Sequence, residues 1–551
     1  MLHFRAAQFP IVATGPTMVI DILIIDALSA GSGRRVTSRD AIGCGPRSVA
    51  GVLEASGFSC KIRRAEDVLT GRSGIRGFRH LAISAMTMDA PSVRRIIRAW
   101  RRHHQGVVLL GGPIATGGKQ TLISLKPTLM VVGEGERTLD ELIRAGFFED
   151  AADLHAIDGI GFMDHDNPVF TAPRRRLTSQ ELDSYRPSIT RIMDYPAYQA
   201  SRVYVEVLRG CSNFRRTTLE LPDGRVCIDC GNCDSPSLAD RLDCPAGIPP
   251  GCGFCSVPST WGPPRERSEQ AIVDEVTGLL DLGVHRIVLE APDFLDYRRG
   301  HVPQTDPCSP AANLEAIESL LSRLASLPQI AEGNAHLSIE NVKACLFTDE
   351  VAALIAKYVH GTSPNIGLET GSGSHMRSIG KGGSPEDVVR AVRAARHHGM
   401  SPFVYLIYGL PGENEQTAEE SIRLMKLLSD AGAERIILYG FQPLPGSAFA
   451  AFPPASAKSH LGRRLRRAAE DINRQKKTHY VGRVIRGVAA EPSLTHKGYT
   501  MVYPLGEGPI MTVLGGYSPG TVMKVRVVKP LSAGLLLGEV LREDDRDWDV
   551  Q

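Results

Sequence analysis

From Val19 onward the chain alternates near-continuous apolar runs with stretches of helical periodicity, the pattern of parallel strands joined by helices. Strands are predicted at Val19–Asp26, Cys60–Arg63, Phe78–Ser84, Gly106–Gly111 and Leu129–Val132, with helices at Pro46–Gly57 and Ser92–His104. Residues 18–150 therefore read as a doubly wound parallel α/β sheet. Ligands of such sheets bind beyond the carboxyl ends of the strands. The candidate contacts are then Ser84, Met86 and Thr87 after one strand, Gly111 and Gly112 after the next, and Gly133 and Glu134 after a third. Small residues at these turns let a bulky ligand approach the backbone. Met86 and Met88 also have a plainer use, filling gaps in the sheet core. No Gly-x-Gly-x-x-Gly follows the first strand, where Gly31-Ser-Gly33 stands alone.

Residues 151–200 break the pattern and read as a connector, with a basic run at Arg174–Arg176 and prolines at 187 and 196. The alternation resumes over 201–452 with six strand–helix repeats. Their strands are predicted at Tyr204–Arg209, Arg286–Ala291, Leu337–Lys343, Asn365–Thr370, Pro402–Tyr408 and Arg435–Phe441. Six βα units describe a partial (βα)6 barrel, with its chemistry at the strand C-terminal ends. Residues 453–479 read as a basic linker helix that packs on the barrel and leaves its charged side in solvent. Over 480–545 five short β runs split by Gly and Pro fit a small β-barrel.

At 551 residues the chain is long enough for three domains. Its formal net charge of +2 implies no affinity for nucleic acid by charge alone. No run reaches the roughly 18 apolar residues of a membrane span. Residues 1–17 lack the layout of a cleavable signal. A reducing, cytoplasmic setting is therefore expected, and with it no disulfides. The Gly-x-x-x-x-Gly-Lys-Ser/Thr and His-Glu-x-x-His signatures are both absent.

The cysteines change the picture. Seven of the eleven lie between Cys211 and Cys255. Val-Glu-Val-Leu-Arg-Gly-Cys211 ends the first barrel strand, and Cys252-Gly-Phe-Cys255 follows a 40-residue interval. Within that interval, Cys227, Cys230, Cys233 and Cys244 have the spacing of a complete four-thiolate site. Soft thiolates in tetrahedral array suit zinc or iron, and the Cys244-Pro245 end also echoes ferredoxin spacing.

A strand ending in Arg-Gly-Cys211, followed by Cys252-Gly-Phe-Cys255, resembles the iron–sulfur loop of radical SAM enzymes. Their usual first gap of three residues is here stretched to 40. The resemblance implies that Cys211, Cys252 and Cys255 hold a [4Fe–4S] cluster with one iron open to S-adenosylmethionine (SAM). The insertion 212–251 resembles in kind the iron-bearing loop of a cobalamin-dependent radical SAM methylase that acts on arginine in a methanogenic reductase. The turns of residues 18–150 resemble the cobalamin-binding domain that precedes many radical SAM domains, without the Asp-x-His-x-x-Gly that supplies a histidine to cobalt.

Gly367-Leu-Glu369-Thr-Gly371-Ser372 and Gly409-Leu-Pro411-Gly412-Glu413 resemble strand ends of methylthiotransferase-like radical SAM domains. That likeness implies that Glu369 and Ser372 contact the ribose or amino-acid part of SAM. It also puts Glu290 to Asp293 where the strand backbone meets the SAM amine. Arg377 and Lys381 are open to two readings, pairing with the SAM carboxylate or serving as simple surface charges, the commoner use of each. Residues 480–545 resemble the TRAM domain of tRNA methylthiotransferases, which does not decide the substrate.

Together these likenesses imply a cobalamin-dependent radical SAM C-methyltransferase. Its expected partner is a protein substrate, the alpha subunit of methyl-coenzyme M reductase, methylated on glutamine. The alternatives are a tRNA methylthiotransferase and a non-catalytic cobalamin or metal sensor.

Overall fold

A computed structural model describes residues 20–35, 38–300, 304–532 and 534–541. Residues 1–17, read above as lacking a signal, lie outside the described residues.

The first strand explains the first domain. In β1 (Ile20–Asp26), Ile22, Leu23, Ile24 and Ile25 have no exposed surface. A strand apolar at every position is buried on both faces. Ile22 and Ile24 join one core and Leu23 and Ile25 another. Next come β2 (Ala41–Ile42), β3 (Cys60–Arg64), β4 (Phe78–Ser84), β5 (Val108–Gly111) and β6 (Leu129–Val131). Then follow β7 (Ile160–Asp164) and β8 (Asn167–Phe170), and the sheet order is β3-β1-β4-β5-β6-β7-β8. The pairs from β3 to β6 are parallel, while β7 and β8 run antiparallel.

One expectation needs correction here, and one strand went unforeseen. The stretch 151–200 is not only a connector, because its β7–β8 hairpin extends the first sheet. The hairpin's outer strand is only four residues long and half-exposed, and its Pro168 suits an edge. Strand β2 also leaves its own domain and pairs in parallel with the barrel. Two residues carry no periodicity, so no pattern could announce it.

The barrel strands are β9 (Arg202–Glu206), β12 (Arg286–Glu290), β13 (His336–Ile339), β14 (Asn341–Val342), β15 (Asn365–Glu369), β16 (Phe403–Tyr408) and β17 (Arg435–Gly440). Between β9 and β12 lie β10 (Leu208–Arg209) and β11 (Arg265–Glu266). Two four-stranded sheets, β13-β12-β9-β2 and β14-β15-β16-β17, are all parallel. Only Glu340 separates β13 from β14, so they form one open arc whose first strand comes from the other domain. The basic helix is His460–Thr478, and its Arg464 pairs with Glu415 and Glu419.

The chain closes with β18 (Val484–Pro492), β19 (Tyr499–Pro504), β20 (Met511–Leu514), β21 (Val522–Pro530) and β22 (Leu536–Val540). They form a closed barrel in the order β18-β19-β20-β22-β21. Among the described residues no helix is long and apolar enough to cross a membrane.

One disulfide is formed, between Cys308 and Cys345. This corrects the expectation of none. Their Cα atoms stand 5.5 Å apart, within bonding reach, and nothing in their spacing of 37 residues signals a pair.

Candidate active site

The long interval between Cys211 and Cys252 is closed at its base. Strands β10 and β11 pair antiparallel, Leu208 with Glu266 and Arg209 with Arg265. The Cys211 N–H donates to the Gly262 carbonyl at 3.0 Å. Gly210 permits this: its φ is +98°, and a Cβ there would lie 2.3 Å from the Pro263 carbonyl oxygen. The Arg-Gly-Cys sequence therefore needs its glycine so that the returning chain can pass.

Each of the three thiols receives an N–H. The Asn213 backbone N–H donates to Cys211 Sγ at 3.4 Å, and its side-chain amide donates to Cys252 Sγ at 3.2 Å and to the Gly380 carbonyl. The Val257 N–H donates to Cys255 Sγ at 3.5 Å. Burial pushes all three thiols up, Cys255 to about 12, against the pull of Lys343 on Cys211 and of Lys381 on Cys252. Such thiols stay protonated until a metal displaces the proton. Among the described residues no three His, Cys, Asp or Glu side chains close on a single ion. A cube does not require that, because each thiolate bonds a different iron. Soft ligands with N–H groups aimed at sulfur fit an iron–sulfur cluster.

Beside Cys211 stands a network that the sequence did not announce. Lys343 Nζ donates to Ser212 Oγ at 2.7 Å, to Asp293 Oδ2 at 2.9 Å and to Asp296 Oδ2 at 2.7 Å. Asp293 is thus engaged by a lysine, whereas the family likeness had aimed it at the SAM amine. Burial opposes the Lys343 charge, but the two aspartates more than offset it and raise its pKa.

Lys381 is not a surface charge. It is largely buried and pairs with Glu369 at 3.3 Å. Glu369 has a φ of +66°, at a shift in the β15–β16 register. Non-glycine residues held there are commonly tied to function. Ser372 is 1% exposed, and its Oγ lies 3.1 Å from that of Ser374.

A cavity of about 630 Å³ separates the carboxyl ends of the first sheet from those of the barrel. Ser84, Met86, Gly111, Gly112, Gly133 and Glu134 line it from one side, and Tyr204, Glu206, Arg209, Glu290 and Asn341 from the other. Gly112 lets the β5 turn pack close: its φ is +91°, and a Cβ would lie 2.7 Å from the Ala85 carbonyl. Thr87 does not line the cavity. It opens a 3-10 turn, Thr87–Asp89, that Asp89 folds away by accepting the Met86 N–H at 2.9 Å. Glu134 is held by Arg265 at 2.7 Å and by the Leu177 N–H, so it braces the wall.

Across the cavity the Cys44 thiol donates to Glu290 Oε2 at 3.0 Å. Burial raises Glu290 to about 7; the Cys44 hydrogen bond opposes this, and Glu206 and Glu340 add to it. No histidine follows β1, where Asp26 instead pairs with Arg35 at 2.9 Å. Three turns of small residues on one wall and polar groups on the other suit a large, flat, many-armed ligand such as a corrin.

The insertion is less assembled. Cys227 and Cys244 pack on the cluster around Leu221, Ile248 and Phe449, the Arg216 guanidinium reaches Cys233 Sγ at 3.5 Å, and Cys230 is exposed. Among the described residues these four do not form a group able to hold one ion.

A family model described as the radical SAM superfamily matches residues 244–425, a span that includes Cys252 and Cys255 but not Cys211. The chain is 38% identical over 525 residues to an uncharacterized protein of Methanopyrus kandleri, covering 95% of this chain and 96% of that one. It is 39% identical over 508 residues to an uncharacterized protein of Methanocaldococcus jannaschii, covering 92% and 96%. A ribosomal protein uS12 methylthiotransferase of Syntrophobacter fumaroxidans is 25% identical over 50% of this chain and 60% of its own length. The fold is similar to that of TsrM, a radical S-adenosylmethionine methyltransferase of Kitasatospora setae, in its structure with cobalamin and a [4Fe–4S] cluster bound. That match has a TM-score of 0.55 and 16% identity, and covers 78% of this chain and 74% of that one.

Proposed function

The chain belongs to the radical SAM superfamily, and from that membership we propose that it is a cobalamin-dependent C-methyltransferase acting on an unactivated carbon of a protein residue. The observation that carries this reading is the cavity between the turns of the first sheet and the C-terminal ends of the barrel strands. When bound, the cluster and SAM supply a carbon-centred radical, and cobalamin supplies a transferable methyl group. Cys211, Cys252 and Cys255 are the ligands for the cluster, with Asn213 and Val257 donating to their sulfurs. Glu369 and Lys381, beside Cys252, face the SAM side. Ser84, Met86, Gly111, Gly112 and Gly133 form the corrin wall. Glu290 and Tyr204 lie opposite, where a substrate side chain would enter.

The substrate we favour is a glutamine of the methyl-coenzyme M reductase alpha subunit, and the methanogen origin of the two long relatives supports it. The insertion cysteines are proposed to carry a second metal, iron or zinc, once it draws them together. A methylthiotransferase is the second reading, favoured by the similarity to the uS12 enzyme. Against it, Cys60 is buried on β3 and Cys44 is bonded to Glu290, so the first domain offers no three-cysteine set.

The deciding experiment is anaerobic reconstitution with iron, sulfide and cobalamin, followed by SAM and the candidate reductase. Cob(II)alamin absorption, 5′-deoxyadenosine and a methyl group on the reductase peptide are expected. Sulfur incorporation into a target would favour the second reading, and bound cobalamin without SAM cleavage would leave only a sensor.

A further inference from the structure

The Lys343 ammonium is saturated. It has three N–H donors, and Ser212, Asp293 and Asp296 accept all three at 2.7–2.9 Å. A saturated ammonium has no donor left for a substrate carboxylate. The two aspartates have no exposed side-chain surface, while Lys343 retains 18%. The carboxylates therefore lie behind the cation and the cation lies toward the site. Arg299 holds Asp296 from the far side at 2.8 Å, so the arrangement is fixed from both ends. Ser212 is the residue next to Cys211, and its Oγ and N–H both donate to Asp296. Through Ser212 the Lys343 ammonium is held one residue from the thiol of Cys211.

We propose that Lys343 is a positioning residue that sets the reduction potential of the cluster held by Cys211, Cys252 and Cys255, and that it does not bind substrate. This rests on the cluster reading above. Reduction adds one electron from an external low-potential donor and breaks no bond in the protein. A fixed cation beside the thiolates favours the reduced, more negative state, and the carboxylates behind it oppose that effect. Deleting the cation and deleting a carboxylate must therefore move the potential in opposite directions. A purely structural lysine predicts no such opposition.

The test is a dithionite titration of the reconstituted full-length protein, followed by EPR, for the unmutated chain and for Lys343→Met, Lys343→Arg and Asp293→Asn. Lys343→Met is expected to lower the midpoint by at least a tenfold change in the one-electron equilibrium, about 59 mV. Asp293→Asn is expected to raise it, and Lys343→Arg to stay close to the unmutated value. If Lys343→Met fails to fold or to hold iron, Asp293→Asn alone decides. A midpoint that is unchanged or lowered in Asp293→Asn overturns the proposal. Absence of any cluster signal in the unmutated protein would overturn the cluster reading itself, which is a different failure.

Discussion

The carboxylate of Asp40 meets the Arg286 guanidinium at 2.7 Å, and both side chains are 7% exposed. Asp40 stands just before β2 and Arg286 opens β12, so the pair ties the borrowed strand to the barrel. Arg202 joins it at 3.3 Å, and Arg286 also lies 5.8 Å over the Tyr503 ring of the C-terminal barrel. Burial opposes the Asp40 charge, but the two guanidiniums hold its pKa down to about 2.

That folded value lies below the ordinary 3.8, so the stabilisation is complete above 3.8 and is lost as pH falls toward 2. Asp40→Asn leaves the buried Arg286 guanidinium short of its carboxylate and should cost roughly 3 kcal/mol at neutral pH. Urea unfolding across an acid pH series measures both effects. The variant should be less stable at pH 7 and lose less on acidification. Parallel acid limbs would show that the pair carries no such linkage.

Glu290 gives the opposite pH sign. Its folded carboxyl sits at about 7 against an ordinary 4.5, so the folded chain holds a proton that the unfolded chain has released. The associated stability is full below pH 4.5 and falls as pH rises through 7. Glu290→Gln cannot lose that proton. Its melting temperature should therefore depend less on pH between 5 and 8 than that of the unmutated chain, and should exceed it at pH 8. A variant whose melting curve tracked the unmutated one at every pH would show that the Glu290 carboxyl is not held protonated in the fold.

The legible parts of this protein are those in which many residues repeat one instruction. β1 carries four consecutive buried apolar residues, Ile22 to Ile25, and β16 is apolar at all six positions, so the two α/β units could be read from pattern, as could the five-stranded barrel. The loop of Cys211, Cys252 and Cys255 was pointed to by its likeness to radical SAM enzymes and not by its spacing, and Asn213 bonds two of those thiols. The remainder depended on single contacts. β2 is two residues long, and Lys343 sits 47 residues from Asp296 in the sequence. Lys381 looked like any surface lysine until Glu369 was folded against it. Asp293 was assigned by likeness to a strand end, and the actual partner, Lys343, follows β14, which no local pattern links to it.

Asn213 connects two of the three thiols, bonding Cys211 through its backbone and Cys252 through its side chain. Asn213→Ala keeps the first bond and loses the second, together with the amide bond to the Gly380 carbonyl. The metal-free protein should lose roughly 1–2 kcal/mol of stability, read by thermal melting. Iron should be stripped faster by a chelator, because the Cys252 thiolate loses its donor. An unchanged stripping rate would mean that the amide serves only Gly380.

The two sets of cysteines should separate cleanly on mutation. Cys252 is half-buried, receives the Asn213 amide and lies within electrostatic reach of Cys211 and Cys255. Cys230 is exposed in the insertion. Cys252→Ala removes one of only three ligands to the proposed cluster. It should abolish the reduced-cluster EPR signal and 5′-deoxyadenosine formation while leaving cobalamin absorption intact, because no cysteine of the loop lines the cavity between the two sheets. Cys230→Ala should leave the signal and SAM cleavage in place and lower soluble yield or turnover. Loss of cobalamin in the first variant would mean that the cavity is misassigned. Loss of the EPR signal in the second would mean that the two cysteine sets are partitioned wrongly.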